Sequence, residues 1–276
     1  MAGDGRPIGV FDSGMGGLTV LRALAARLPQ ERFVYLGDTA RLPYGTKSAE
    51  TVRAYALQAT GLLLGADVKM VVIACNTASA VALTVLQDAL APVPVIGVIE
   101  PGARAGVAAT RNKTIAVLAT ESTVKGGAYA RAIQQLMAEA EVVQKACQVF
   151  VALAEEGWAE TPATLAAAEH YLDPLFSGAN PPDTLVLGCT HFPVLARAIQ
   201  QKVGEKVALV DSAETTAGAV ADALNLSALR SGGAGARATI HFFATDSPER
   251  FARVGAIFLG RDIDEGDVEL VDLHKT

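Results

Sequence analysis

Short aliphatic runs recur along the chain, each closed by small or polar residues and followed by a longer stretch with helical spacing. No other feature narrows the fold as much. Runs that are apolar throughout read as strands covered on both faces, and strands alternating with helices build parallel sheets through βαβ units. The pattern predicts strands at residues 8–11, 33–36, 70–74, 95–98, 114–118, 149–153, 185–187 and 207–210, and a last one near 239–243. Helices are predicted over 18–28, 49–64, 79–90, 125–138, 162–176 and 193–203, with Pro29, Pro92 and Pro181 standing where helices should stop. Ser231-Gly232-Gly233-Ala234-Gly235 reads as an exposed turn.

Two segments are echoed later in the chain. Ile8-Gly9-Val10-Phe11-Asp12-Ser13 returns as Ile115-Ala116-Val117-Leu118-Ala119-Thr120, and Val72-Ile73-Ala74-Cys75-Asn76-Thr77 as Val186-Leu187-Gly188-Cys189-Thr190-His191. The echo points to two similar α/β lobes, each a mainly parallel sheet flanked by helices. Hydrophobic residues make up 51% of the chain and charged ones 19%, which excludes a disordered chain. A net charge of −6 would repel phosphate backbones, so nucleic acid is not an expected partner. The first residues lack a leader pattern, and no apolar run is long enough to span a bilayer. A cytoplasmic protein with no membrane partner is expected. Three cysteines cannot all pair, and none lies in a Cys-x-x-Cys arrangement, so thiols in a reducing compartment are expected.

Cys75 and Cys189 each follow an aliphatic run and a small residue, and each precedes two polar residues and a helical stretch. Both are therefore predicted at carboxyl ends of strands, the edge where open α/β sheets bind ligands. The amides opening the next helix favour a thiolate or a substrate carboxylate there. Cys147 lies just before the aliphatic run at 149–153 and is predicted at the wrong end of its strand, as a packed residue. Two thiols on facing lobes suit one task, removing a proton from one face of a carbon and delivering another to the opposite face. Asp12, at a strand end, and His191, two residues after Cys189, are the candidate helpers.

Asp12-Ser13-Gly14-Met15-Gly16-Gly17 fits neither phosphate-binding pattern: counted from Gly14, the third glycine of G-x-G-x-x-G falls on Thr19, and no lysine follows. A dinucleotide or ATP site is unsupported, although the glycines permit close backbone approach to a small ligand. Gly37-Asp38-Thr39 and Pro43-Tyr44-Gly45 form a further turn at a strand end. No basic cluster accompanies these turns, so an acidic substrate would be held by hydroxyls, amides and helix ends. Ser13, Asn76, Thr77, Thr120, Thr123 and Thr190 supply such groups.

Five motifs in order carry a family resemblance: Phe11-Asp12-Ser13-Gly14-Met15-Gly16-Gly17; Gly37-Asp38 with Pro43-Tyr44-Gly45; Ala74-Cys75-Asn76-Thr77-Ala78-Ser79; Glu155-Glu156-Gly157; and Gly188-Cys189-Thr190-His191-Phe192-Pro193. From Ile8 to about Ser212 the sequence resembles the bacterial glutamate racemases of the aspartate/glutamate racemase superfamily. The resemblance implies two α/β lobes, residues 1–98 with 210–276 and residues 99–209, with the active site in the cleft between them. It implies racemisation of glutamate without pyridoxal phosphate, metal or other cofactor, supplying D-glutamate for peptidoglycan. Cys75 and Cys189 would be the acid/base pair, assisted by Asp12, Glu155 and His191. Asp12, Ser13, Pro43, Tyr44, Gly45, Asn76, Thr77, Thr120, Thr123, Thr190 and His191 would bind the substrate. A homodimer is also implied.

The chain departs from the family pattern at Ala119, where many members have glycine, and at Gln148 and Ala152, where prolines are common. Seven residues precede Ile8, so activation by a peptidoglycan precursor, tied in some members to an extended amino-terminal segment, is not expected. Two other readings use the same residues: an aspartate or broad-specificity racemase, and a non-catalytic amino-acid-binding protein.

Overall fold

Apolar runs and their following helices alternate from the first strand onward in the computed structural model, which describes residues 3–231 and 238–273. In chain order the elements are β1 (Ile8–Asp12), α1 (Leu18–Arg27), β2 (Arg32–Gly37), α2 (Ala49–Gly65), β3 (Met70–Ile73), α3 (Asn76–Ala89), β4 (Val95–Gly97), α4 (Ile99–Ala109), β5 (Thr114–Ala119), α5 (Glu121–Gly126), α6 (Ala128–Leu136) and β6 (Glu141–Ala146). They continue with α7 (Gln148–Glu155), α8 (Pro162–Phe176), β7 (Thr184–Gly188), α9 (Ala196–Val203), β8 (Ala208–Asp211), α10 (Ser212–Leu226), β9 (Thr239–Ala244), α11 (Pro248–Leu259) and β10 (Val268–Leu270). Short 3-10 turns at Thr39–Arg41, Tyr44–Thr46 and Phe192–Leu195 lie between strand ends and the next helices.

The strands form two parallel sheets. One runs β10-β9-β2-β1-β3-β4 and the other β6-β5-β7-β8. The echo in the sequence is an echo in topology. In each sheet the first four strands of the repeat lie in the order second, first, third, fourth, so β3 and β7 hold equivalent places and Cys75 and Cys189 follow equivalent strands. This is an α/β fold of two lobes, as the alternation predicts.

Every residue of β1, β3, β5 and β7 is buried, which accounts for their uninterrupted aliphatic character. Each fully buried Val, Leu, Ile or Phe contributes about 1.5–3 kcal/mol. One core packs α2 and α3 against the first sheet, through Val52, Leu63, Ile73 and Leu86, and another packs α4 and α6 against the second, through Ala103, Tyr129 and Val186. The largest core joins the lobes: Val10, Leu24 and Phe251 belong to the same apolar cluster as Leu118, Phe150 and Phe192. Helix α10 packs on both α1 and α4, fastening the return of the chain from the second sheet to the first.

Three expectations are corrected. The strand expected at 149–153 is part of α7, and the strand it displaces is β6. Cys147 consequently follows a strand instead of preceding one; it lies at the carboxyl edge, is fully buried, and donates to the Lys145 carbonyl at 3.6 Å. The helix expected over 125–138 is two helices, broken where Gly127 takes a left-handed φ of 63° that a side chain would resist. Gly232 to Gly235 of the expected turn lie outside the described residues. Among the described residues, no helix is long and apolar enough to cross a membrane.

Candidate active site

The cavity that receives the strand ends of both sheets is lined by Ser13, Pro43, Tyr44, Gly45, Cys75, Asn76, Thr77, Thr120, Gln148, Val151, Cys189, Thr190 and His191. It offers about 40 Å³ to the centres of water molecules. Both thiols are free and nearly sealed from solvent, each 5% exposed.

Cys75 caps α3. Its Sγ accepts the amide of Ala78 at 3.4 Å and donates to Ser13 Oγ at 3.5 Å. Burial, and then the negative charge of Asp12, push its pKa up to about 12, against the pull of the bonds to Ser13 and Ala78. Asp12 ends β1 wholly buried, and its Oδ2 accepts the Gly14 amide at 2.9 Å. Burial raises the Asp12 pKa, opposed by the charge of His191 and by the loop amides.

Cys189 follows β7 at the equivalent place. Its Sγ lies 3.9 Å from Nδ1 of His191, whose Nε2 lies 3.1 Å from Oε1 of Glu155. The other Glu155 oxygen accepts from Arg250 Nη2 at 2.8 Å. Burial opposes a charge on His191, yet the bonds to Cys189 and Glu155 and their charges outweigh it and raise its pKa to about 10. Glu155 is held below the usual carboxylate range: burial works against its charge, and His191 and Arg250 overcome it. Glu155 and Asp12 stand behind the cavity wall.

Asn76, in the first turn of α3, is oriented from the other lobe. Tyr129 of α6, whose pKa is raised chiefly by burial and which therefore stays a donor, gives its hydroxyl proton to Asn76 Oδ1 at 2.7 Å. That leaves the Asn76 Nδ2 amide buried without a hydrogen-bond partner among the described residues. An unpaired buried donor on a cavity wall costs free energy unless a ligand satisfies it. Thr77 meets Thr120 at 3.0 Å and Thr123 at 3.4 Å, a hydroxyl cluster between the lobes in which Thr123 stands one layer back from the cavity. Tyr44 donates to the buried Asp38, which also pairs with Arg41 at 2.7 Å.

The glycines act here by close approach. A methyl on Gly16 would overlap the His191 ring and come within 2.6 Å of Thr190 Oγ1, and one on Gly45 would come within 2.7 Å of Thr120 Cβ. Thr19 Oγ1 adds a bond to the Thr190 carbonyl at 3.0 Å.

The family model for Asp/Glu/Hydantoin racemase matches residues 14–220. The chain belongs to that family. It is 50% identical over 274 residues to the glutamate racemase of Geobacter metallireducens, covering 98% of this chain and 97% of that protein. Among solved structures, glutamate racemase from Francisella tularensis in complex with D-glutamate superposes with a TM-score of 0.90 at 36% identity, covering 99% of this chain and 100% of that one. The Thermus thermophilus glutamate racemase in complex with β-chloro-D-alanine gives a TM-score of 0.87 at 41% identity, covering 99% and 100%.

Against this family background, four neighbours of the site went unseen in the sequence. Gln148 and Val151 line the cavity because α7 starts directly at the edge of the second sheet, a placement hidden once 149–153 is taken for a strand. Tyr129 carries no motif and is found only through its bond to Asn76. Arg250 belongs to α11, beyond both the matched region and the five motifs. Among the described residues, no three His, Cys, Asp or Glu side chains gather as a metal site.

Proposed function

We propose that this racemase-family chain interconverts L- and D-glutamate by proton transfer at Cα between two cysteines, without a cofactor, and so supplies D-glutamate for peptidoglycan. The observation that carries the reading is that Cys75 and Cys189, following equivalent strands of two lobes, line one narrow cavity. The choice of glutamate rests on the names of the relatives described above.

The chemistry follows from the side chains. The substrate carboxylates need donors, and the free Asn76 amide, the threonine hydroxyls and the opening turn of α3 supply them. One sulfur, as thiolate, takes the Cα proton; the electron pair left on carbon spreads into the adjoining carboxylate, where preorganised donors stabilise it. The opposite sulfur, as thiol, then gives its proton to the other face. The carbon is inverted and the two sulfurs have exchanged protonation states, to be reset through solvent. On the Cys189 side, a protonated His191 supplies the positive neighbour that a thiolate base requires.

In heavy water, either enantiomer should yield product with deuterium at Cα, and Cys75→Ala or Cys189→Ala should lower turnover by at least ~100-fold. Product that keeps its own hydrogen, or near-normal turnover by Cys189→Ala, would overturn the two-base scheme. Comparing rates on glutamate and aspartate tests the substrate.

A further inference from the structure

Glu155 is shared between two groups on different lobes. His191, after β7, holds one carboxylate oxygen; Arg250, in the first turn of α11, holds the other at 2.8 Å. Helix α11 packs on α1 and β10, on the side of the six-stranded sheet, whereas α7 and β7 belong with the four-stranded one. The same helix reaches His191 a second time: the Phe258 ring stands edge-on to the imidazole, centroids 5.0 Å apart. One helix of the opposite lobe therefore touches both members of the relay that ends at the Cys189 sulfur.

We propose that Arg250 is a positioning residue for proton transfer at Cys189, fixing Glu155, and through it His191, from across the lobe boundary. The proposal rests on the racemase reading above. A carboxylate bonded only to an imidazole can rotate about its last torsion; a guanidinium on its second oxygen removes that freedom, and the ring orientation follows. The Arg250 side chain is 40% exposed, and an ion pair so placed contributes little to stability, so its loss should be legible in catalysis separately from folding.

The test uses the full chain and glutamate, each enantiomer with hydrogen or deuterium at Cα, in light and heavy water. Arg250→Ala should lower kcat on the order of 10-fold with little change in KM, as expected when a charged hydrogen bond aligning a proton-transfer group is lost. The effect should be one-sided. In the direction in which Cys189 removes the Cα proton, the variant should show a larger substrate deuterium effect than the wild type. In the reverse direction, in which Cys189 delivers a solvent-derived proton, the solvent effect should grow instead. Arg250→Lys, which keeps the charge without the planar fork, should fall between. Should the alanine variant fail to fold, Arg250→Gln carries the same readout.

An unchanged kcat overturns the assignment, as does a loss with equal isotope behaviour in both directions, the mark of a loosened structure. Wild-type protein that racemises glutamate while the variant behaves so condemns only Arg250. Wild-type protein that racemises nothing condemns the reading beneath it.

Discussion

His191 is the residue whose charge state decides most. It is almost fully enclosed, an environment that discharges imidazoles, yet the bonds to Cys189 and Glu155 raise its pKa from an ordinary 6.5 to about 10. The imidazolium is therefore kept at neutral pH and is lost as pH rises through about 10. Its contribution to stability is complete below 6.5 and disappears over the same rise. If the proposed reaction needs the imidazolium, kcat/KM should fall on an alkaline limb near pH 10. Glu155→Gln removes one of the groups that raise the pKa, so that limb should move about one pH unit or more toward neutrality. A pH profile of both proteins measures this, and an unmoved limb would separate Glu155 from the titration. Residues of this kind are half legible in the sequence. Cys75, Cys189 and His191 declare themselves by following aliphatic runs; Tyr129 and Arg250 do not, because contacts across a lobe boundary leave no spacing in the chain.

At the scale of elements, the approach of α1 to the end of β7 explains why Gly16 has no side chain. Gly16→Ala should push the His191 ring aside, lowering kcat on the order of 10-fold while the protein remains folded; kinetics beside a circular-dichroism melt would check it. A variant with wild-type kcat would mean that the ring can yield without cost. The misreading of 149–153 has an equally local cause. β6 is an edge strand, half-buried, with the composition Glu-Val-Val-Gln-Lys-Ala, so it carries no unbroken apolar run. α7 is short and turns Phe150, Leu153 and Ala154 into the core, and over so few residues its apolar run imitates a buried strand. Helix α4 begins Ile-Glu-Pro-Gly, residues that usually punctuate, and was hidden for that reason.

Across the whole molecule, the proposed chemistry and a buried ion pair occupy opposite edges of the first sheet. Where its strands begin, before β2 and β3, Lys69 Nζ meets Glu31 Oε2 at 2.6 Å, with the lysine side chain fully buried. Lys69 also donates to the Asp4 carbonyl, and Glu31 accepts the Ser231 amide, so the pair ties two distant stretches of chain. Lys69→Met should cost about 3–5 kcal/mol of stability by leaving the buried Glu31 carboxylate without its counter-charge, whereas replacing both by apolar residues should be far milder. Denaturant midpoints would measure the difference, and kcat at a permissive temperature should stay unchanged, because the thiols lie at the far ends of the strands. The repeat behind the two sheets was visible as paired segments, but the buried ion pair was not, since Lys69 and Glu31 look like any surface charges in sequence.

The bond from Tyr129 to Asn76 has a consequence at this largest scale. A side chain of one half of the molecule decides which way an amide of the other half faces, so the direction in which that amide offers its hydrogens is not a local property of its helix. Were the halves to drift apart, the amide would be free to turn away. On the reaction proposed above, grip on the ligand and posture of the protein would be a single variable, and affinity a gauge of how the halves stand.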